Sequence, residues 1–283
     1  MRVAHITDIH VERTPVLAEL GNKRLAGAVN LFVLGRKAHF STASQTALVQ
    51  AVLEAGPDLV LCTGDLTATA TEAEFQAAVE LLEPLRSRFD WLAIPGNHDC
   101  YTAESEGRFA KYFGPTPPVR VERRGGWDVV LVDVCHDDFL SRGWLGAAGR
   151  ASLDNALAAG DVPALVAIHY PLRGRDGAAY GPFSRACIDA DAIEAVVVRH
   201  PRVHMVVHGH EHRGYRTELP RSGQPVISID PGAGGYAFLP DSRRTAHFCV
   251  YTLGATKLEG VERFAFDGER FVPEPGGAFA TGG

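Results

Sequence analysis

Five apolar runs in this chain each end in polar residues of the types that bind metal ions. The segments are HITDIH at 5–10, LCTGD at 61–65, IPGNHD at 94–99, AIHYP at 167–171 and VHGHEH at 207–212. In an open α/β sheet, the functional crevice lies beyond the carboxyl ends of the strands. If the five runs are strands that share such an edge, their polar ends meet in one place. The residues expected there are Asp8, His10, Asp65, Asn97, His98, His169, His210 and His212.

The rest of the chain alternates short apolar runs with helical patterns, which is typical of α/β and α+β layering. Buried strands are predicted at 58–62, 91–94, 164–168 and 203–207. Helices are predicted at 46–55, after the capping-box sequence Thr71-Glu72-Ala73-Glu74, and at 149–159 and 189–199. A Gly125-Gly126 turn predicts a β-hairpin, and from Pro225 onward the pattern becomes mostly strand, with a second hairpin at Asp267-Gly268.

Composition narrows the class of protein. With 46% hydrophobic and 22% charged residues among 283, the chain is expected to be a folded, water-soluble protein. Its net charge of −6 argues against binding extended nucleic acid through overall charge. The five cysteines form no CxxC and suggest no disulfide framework, and no secretory signal is visible, so a reducing, cytoplasmic location is expected.

The donor types indicate the chemistry of the predicted site. Carboxylates together with imidazoles suit first-row ions such as Mn, Fe, Co and Zn, whereas an all-oxygen set would suit Mg or Ca. There are enough ligands for two ions, and a carboxylate can bridge a metal pair about 3.5–4 Å apart. Such pairs activate water and hold the oxygens of an in-line displacement at phosphorus. The sequence therefore predicts phosphoryl chemistry.

These residues also resemble a known family. The blocks DIH at 8–10, GD at 64–65, GNHD at 96–99, the lone His169 and GHEH at 209–212 look like the five-block signature of the calcineurin-like metallophosphoesterases. Within that superfamily, the GNHD block and RGWL at 142–145, which leads into Leu153, resemble the bacterial class III cyclic-nucleotide phosphodiesterases.

The resemblance implies a fold and a domain organisation. The fold would be α/β, a four-layer α/β/β/α sandwich of two mixed β-sheets flanked by helices. A single metallophosphoesterase domain would span residues 1–272. The Gly- and Pro-rich residues 273–283 are predicted to form a flexible tail.

The resemblance also implies roles for the site residues. One ion would be held by Asp8, His10 and His212, the other by Asn97, His169 and His210, and Asp65 would bridge them. Hydroxide bound to these ions would attack phosphorus. His98 would contact the phosphate and protonate or stabilise the leaving oxygen, while Asp99 would hold the His98 ring in position.

The expected function is a dimetal phosphodiesterase acting on cyclic nucleotides or other small phosphodiesters. A lipid-precursor or nuclease-type phosphoesterase and a phosphomonoesterase stay open as alternatives. A non-catalytic scaffold with the same fold is disfavoured, because a degenerate member should lack ligands and every signature position here holds a competent residue.

The segment 11–44 separates the first ligand block from the first clear helix. Its basic residues Lys23, Arg24, Arg36 and Lys37 flank an apolar stretch, so the segment is predicted to be a basic amphipathic insertion or cap. It would pack on the domain or on a second subunit, or make peripheral contact with an anionic membrane. A homo-oligomer stays open.

Overall fold

The computed structural model describes residues 1–13, 39–138 and 140–280. Twelve strands in these residues form two six-stranded mixed sheets. In chain order the strands are β1 (Arg2–Ile6), β2 (Leu59–Cys62), β3 (Asp90–Ala93), β4 (Val119–Arg124), β5 (Trp127–Val132), β6 (Ala164–Ile168), β7 (Val203–Val207), β8 (Tyr215–Leu219), β9 (Val226–Asp230), β10 (His247–Leu253), β11 (Leu258–Phe266) and β12 (Phe271–Pro273). The first sheet has the order β12-β11-β10-β1-β2-β3, and the second has the order β4-β5-β6-β7-β9-β8.

The described residues contain five α-helices, which are α1 (Thr42–Ala55), α2 (Glu72–Arg86), α3 (Ala103–Phe113), α4 (Gly146–Ala159) and α5 (Ala190–Arg199). The side chain of Ser41 caps α1 by accepting a hydrogen bond from the backbone N–H of Ser44, and α1 ends at Gly56 in the left-handed conformation. Thr71 and Glu74 form the predicted capping box of α2. Helix α1 begins at Thr42, four residues before the predicted start at Thr46. Its N-cap, Ser41, lies inside the segment 11–44, which the sequence predicts to be a separate insertion.

Three apolar clusters show that the layers are those of a four-layer sandwich. The middle cluster joins the inner faces of both sheets, for example Leu61 and Tyr251 of the first sheet with Trp127 and Met205 of the second. A second cluster packs α1, α2 and α3 on the outer face of the first sheet. A third packs α4 and α5 on the outer face of the second sheet. The predicted α/β/β/α fold is confirmed.

Strand direction places the polar segments. Strands β1, β2 and β3 are parallel neighbours in the first sheet, as are β5, β6, β7 and β9 in the second. Both hairpins are present, with β4 pairing β5 and β11 pairing β12. Because parallel strands end at one edge, each sheet collects its ligand-bearing loops on one side.

Two elements were not predicted. Helix α3 contains Gly107, and its only large buried apolar residues are Phe109 and Phe113, so few apolar residues mark it in the sequence. Strand β8 is a polar edge strand in which only Tyr215 and Leu219 are buried.

Part of the predicted flexible tail is packed. Glu274 is buried and its Oε1 accepts a 2.7 Å hydrogen bond from Nη1 of the buried Arg263 in β11. The guanidinium of Arg263 also lies 5.0 Å from the centre of the Phe279 ring. These contacts hold residues 274–279 against the first sheet, contrary to the prediction for this stretch.

Most of the predicted insertion 11–44 lies outside the described residues. Its described ends contact the domain, since Val11 bridges Thr67 and Phe40 bridges Tyr236. Among the described helices, none has the length and apolar character needed to cross a bilayer. All five cysteines are free thiols and are buried.

Candidate metal centre

The polar ends of five strands meet at one point between the two sheets. Asp8 and His10 follow β1, Asp65 follows β2, and Asn97 follows β3 in the first sheet. From the second sheet, His169 follows β6, and His210 and His212 follow β7. Six of these seven side chains are buried, and His212 is half-buried. The structure thus brings together every residue predicted as a metal ligand.

The donor atoms form two groups that share one residue. In each group, every residue offers one donor atom and these atoms all lie within 4.8 Å of one another. The first group is Asp8, His10, Asp65 and His212, and the second is Asp65, His169 and His210. Asp65 is the shared member. Its Oδ2 lies 3.5 Å from Nε2 of His10, and its Oδ1 lies 3.6 Å from Nε2 of His169. One carboxylate therefore faces both groups with different oxygens.

The orientation of the second group fits a cation. Nδ1 of His169 lies 2.7 Å from the carbonyl oxygen of Thr63, and Nε2 of His210 lies 2.9 Å from that of Arg185. A carbonyl only accepts hydrogen bonds, so these nitrogens carry protons, and in the neutral form of each ring the other nitrogen turns a lone pair toward the site. Those lone pairs face the side-chain oxygen of Asn97 at 3.2 and 2.8 Å. Three acceptors this close suit a metal ion between them.

The first group has the same character. Nε2 of His10 and Nε2 of His212 lie only 3.1 Å apart, and Nε2 of His212 is 3.2 Å from Oδ1 of Asp8. The backbone N–H of His210 donates to both oxygens of Asp8, which holds that carboxylate in place. Nitrogen and carboxylate donors in this number fit a first-row transition metal.

Burial sets the charges of these ligands. Burial opposes ionisation of Asp8 and Asp65, yet the rings of His10 and His212 beside Asp8 and the charge of His169 beside Asp65 hold both pKa values below their usual range. Burial lowers the pKa of His10 and of His210, which favours the neutral, metal-binding form of each ring. Burial also opposes protonation of His169, but Asp65 raises its pKa to about 9, so a cation at its Nε2 displaces a proton.

The backbone of the ligand loops is strained. Asp8, His10, Asp65, His210 and His212 all have positive φ, between 50° and 77°. Side-chain-bearing residues rarely adopt this conformation, and each such residue costs on the order of 1–3 kcal/mol. Five of the seven predicted ligands therefore have an unfavourable backbone conformation that contacts with the surrounding structure must stabilise.

His98 and Asp99 do not interact as predicted. Nδ1 of the His98 ring lies 2.6 Å from the carbonyl oxygen of Ala68. Asp99 is fully buried, and its carboxylate accepts hydrogen bonds from the backbone N–H groups of Gly96, Leu66 and Thr67 and from the Thr67 hydroxyl. The prediction that Asp99 orients the His98 ring is therefore wrong, because backbone donors from two loops take up its carboxylate.

His98 itself faces the site. It lines a cavity of about 200 Å³ together with Asp65, Asn97, His210 and His212, which has room for several water molecules. Its backbone N–H donates to Oδ1 of Asp65 at 2.8 Å. The His98 ring centre is 4.8 Å from that of His10.

Sequence reasoning missed two residues of this cavity, Arg185 and Ser141. Arg185 also orients His210 through its carbonyl oxygen. It ends a short 3-10 helix, Phe183–Arg185, sixteen residues after His169, and no ligand motif surrounds it in the sequence, so no local pattern marks it.

Comparisons with known proteins agree with this geometry. The family model described as calcineurin-like phosphoesterase matches residues 1–214. A 3',5'-cyclic-nucleotide phosphodiesterase of Nostoc sp. is 29% identical over 220 residues, which cover 76% of this chain and 73% of the relative. A glycerophosphodiester phosphodiesterase of Enterobacter lignolyticus is 28% identical over 226 residues, covering 75% and 71%.

Solved structures share the fold. A dimetal phosphatase from Danio rerio superposes with a TM-score of 0.66 at 13% identity, covering 96% of this chain and 98% of that one. A purple acid phosphatase from yellow lupin seeds gives 0.63 at 14% identity, covering 96% and 52%. With the matched family model and the shared-aspartate donor set, the chain belongs to the calcineurin-like phosphoesterase family and is a metal-dependent phosphoester hydrolase.

Proposed function

We propose that this protein is a dimetal-dependent phosphodiesterase that hydrolyses small phosphodiesters, cyclic nucleotides among them. The observation that carries the proposal is the Asp65 carboxylate, which belongs to two donor groups and offers each a different oxygen. The two phosphodiesterase relatives favour a diester over a monoester substrate.

The ligand assignment follows the donor groups. Asp8, His10 and His212 would hold one ion, Asn97, His169 and His210 the other, and Asp65 both. A pair of Mn, Fe, Zn or Co ions, when bound, activates water and neutralises charge on the phosphoryl oxygens. The chain's own residues fix the positions of those ions, because Thr63 and Arg185 orient the rings of His169 and His210.

His98 is proposed as the residue that acts on the leaving group. Its ring lines the cavity, and its Nδ1 lies 2.6 Å from the carbonyl oxygen of Ala68. In the proposed complex the ring is an imidazolium whose Nε2–H faces the substrate. From there it would contact the phosphate and supply a proton to the departing oxygen. In this proposal Asp99 supports the loops and takes no part in the chemistry.

Replacing His98 separates catalysis from metal binding. His98→Ala is expected to lower kcat by about 10²–10⁴-fold, the usual contribution of a general acid. Metal content should stay near two ions per chain, measured by plasma mass spectrometry. The matched variant Asp65→Ala should lose metal as well as rate. Unchanged turnover in His98→Ala would remove His98 from the mechanism.

A substrate panel tests the proposed function. The protein would be reconstituted separately with Mn, Fe, Zn and Co and given bis-p-nitrophenyl phosphate, p-nitrophenyl phosphate, cyclic AMP, a glycerophosphodiester and DNA. We expect the highest kcat/KM for a small diester, with Asp65→Ala as the inactive control. A clear preference for the monoester over every diester would overturn the proposal.

A further inference from the structure

A second cavity adjoins the metal centre. We call it the arginine cleft, after Arg185, Arg213, Arg243 and Arg244, which line it. Its volume is about 200 Å³, similar to that of the cavity over the metal ligands. Arg185 and His212 line both cavities, so a molecule whose phosphorus lies over the metal ligands can extend into the cleft.

The charge of the cleft is opposite in sign to that of the chain. Four arginines line it in a protein whose net charge is −6. Glu211 is the one carboxylate among its described lining residues, and it accepts a hydrogen bond from the Tyr180 hydroxyl. The cleft therefore keeps an excess of positive charge beside the metal centre.

One wall of the cleft is held in place. Nη1 of Arg244 donates to the Tyr236 hydroxyl at 2.8 Å, and its backbone pairs with Leu239 in both directions. Tyr236 is buried and its ring lies 5.4 Å from that of Phe40, which in turn lies 4.4 Å from the ring of His10. A chain of ring contacts thus connects the arginine wall to a metal ligand.

Guanidinium groups recognise phosphate well. They are always charged, and their paired N–H donors match two phosphate oxygens at once. A single carboxylate would balance only one of the four arginines, whereas a phosphomonoester carries close to two negative charges at neutral pH. The chemistry of the cleft therefore fits a terminal phosphate.

We propose that the arginine cleft binds a second phosphate carried by the substrate, so that the preferred substrates are phosphodiesters with a phosphomonoester on one arm. This inference rests on the proposed function, since the scissile diester must lie over the metal ligands. It narrows the proposed substrates from small phosphodiesters in general to those that carry a second phosphate able to reach the arginine cleft.

Two chromogenic esters form a matched test. Thymidine 5'-(4-nitrophenyl phosphate) and its 3'-phosphorylated form share the same scissile bond and differ only in the second phosphate. With the metal-loaded, full-length chain, kcat/KM should be at least about tenfold higher for the 3'-phosphorylated ester, as expected for charge-assisted hydrogen bonds to arginine.

Variants connect this preference to the cleft. The double variant Arg243→Gln/Arg244→Gln should bring the ratio of the two kcat/KM values close to one. Arg199→Gln is the matched control, because Arg199 ends α5 at the side of the second sheet where β7 begins, away from the ligand loops. Its exposed ion pair with Asp154 contributes little to stability, and the wild-type ratio should persist.

A binding measurement separates this proposal from the proposed function. Calorimetry would compare thymidine 3',5'-bisphosphate with thymidine 5'-monophosphate on the same metal-loaded protein. Tighter binding of the bisphosphate than of the monophosphate, lost in the double variant, would support the arginine-cleft proposal even if neither ester is hydrolysed. Absence of hydrolysis would contradict only the proposed diesterase activity. Equal kcat/KM values for the two esters would overturn the arginine-cleft proposal. If neither ester is hydrolysed, equal affinities for the bisphosphate and the monophosphate would overturn it. A preference for the second phosphate that survives in the double variant would overturn it as well.

Discussion

At the scale of single residues, the candidate centre depends on close approaches that only glycine permits. A Cβ on Gly209 would lie 2.1 Å from Oγ1 of Thr7 and 2.3 Å from Oδ2 of Asp8. A Cβ on Gly96 would lie 2.1 Å from Oδ1 of Asp65. The glycines of the GHEH and GNHD blocks thus leave room for two ligand carboxylates.

Replacing Gly209 by alanine should damage the site more than the fold. The added methyl group would push Asp8 out of position and cost about 1–3 kcal/mol of overpacking. We expect Gly209→Ala to bind about one metal ion fewer per chain, measured by plasma mass spectrometry, and to lose most of its activity.

The matched control for this substitution is Gly260→Ala in β11. There the new Cβ would meet only ordinary contacts at 3.6 Å or more from Thr252. Two ions per chain in both variants would show that the approach of Gly209 to Asp8 does not matter for metal binding.

At the scale of elements, Asp99 connects the loop after β2 with the loop after β3. It accepts from the backbone of Leu66 and Thr67 in the first loop and of Gly96 in the second. Those loops carry Asp65, Asn97 and His98. The carboxylate therefore fixes the relative position of ligands that come from neighbouring strands.

Asp99→Asn is expected to destabilise the protein while keeping the size of the side chain. Its amide nitrogen would face backbone N–H donors and leave at least one of them without a partner, at a cost of about 1–3 kcal/mol. Thermal unfolding would measure the change, which should appear as a fall in Tm of several degrees. Asp161→Asn, whose carboxylate is exposed and pairs with Arg123, is the control. Equal Tm values for the two variants would contradict this role of Asp99.

Elements also show how far the sequence leads. Each predicted ligand follows an apolar run, and parallel strands end at one edge, so strand patterns place Asp8 with Asp65 in the first sheet. His169 follows a strand of the second sheet, and its approach to Asp65 depends on how the two sheets pack. The partners of the rings escape such reasoning. Ala68 and Arg185 act through backbone carbonyls, which every residue possesses, and their positions depend on how the loops fold.

The same limit explains the errors. A GNHD sequence suggests that adjacent His98 and Asp99 interact, yet the tight turn that begins at Gly96 directs the two side chains to different places. The packing of Glu274 depends on Arg263, eleven residues away. The Gly- and Pro-rich composition of the tail does not predict that ion pair.

At the scale of the whole molecule, both sheets contribute ligands to the candidate metal centre between them. The first sheet supplies Asp8, His10, Asp65 and Asn97, and the second supplies His169, His210 and His212. Each of the two donor groups found in the described residues combines side chains from both sheets. A metal pair would therefore connect both halves of the sandwich through the shared Asp65.

Anomalous diffraction from crystals of the manganese-loaded protein tests this claim most directly. Two anomalous peaks are expected about 3.5–4 Å apart, the spacing of bridged metal pairs. One should lie against Asp8, His10 and His212 and the other against Asn97, His169 and His210, with the Asp65 carboxylate between them. A single peak, or two peaks that do not share Asp65, would contradict it.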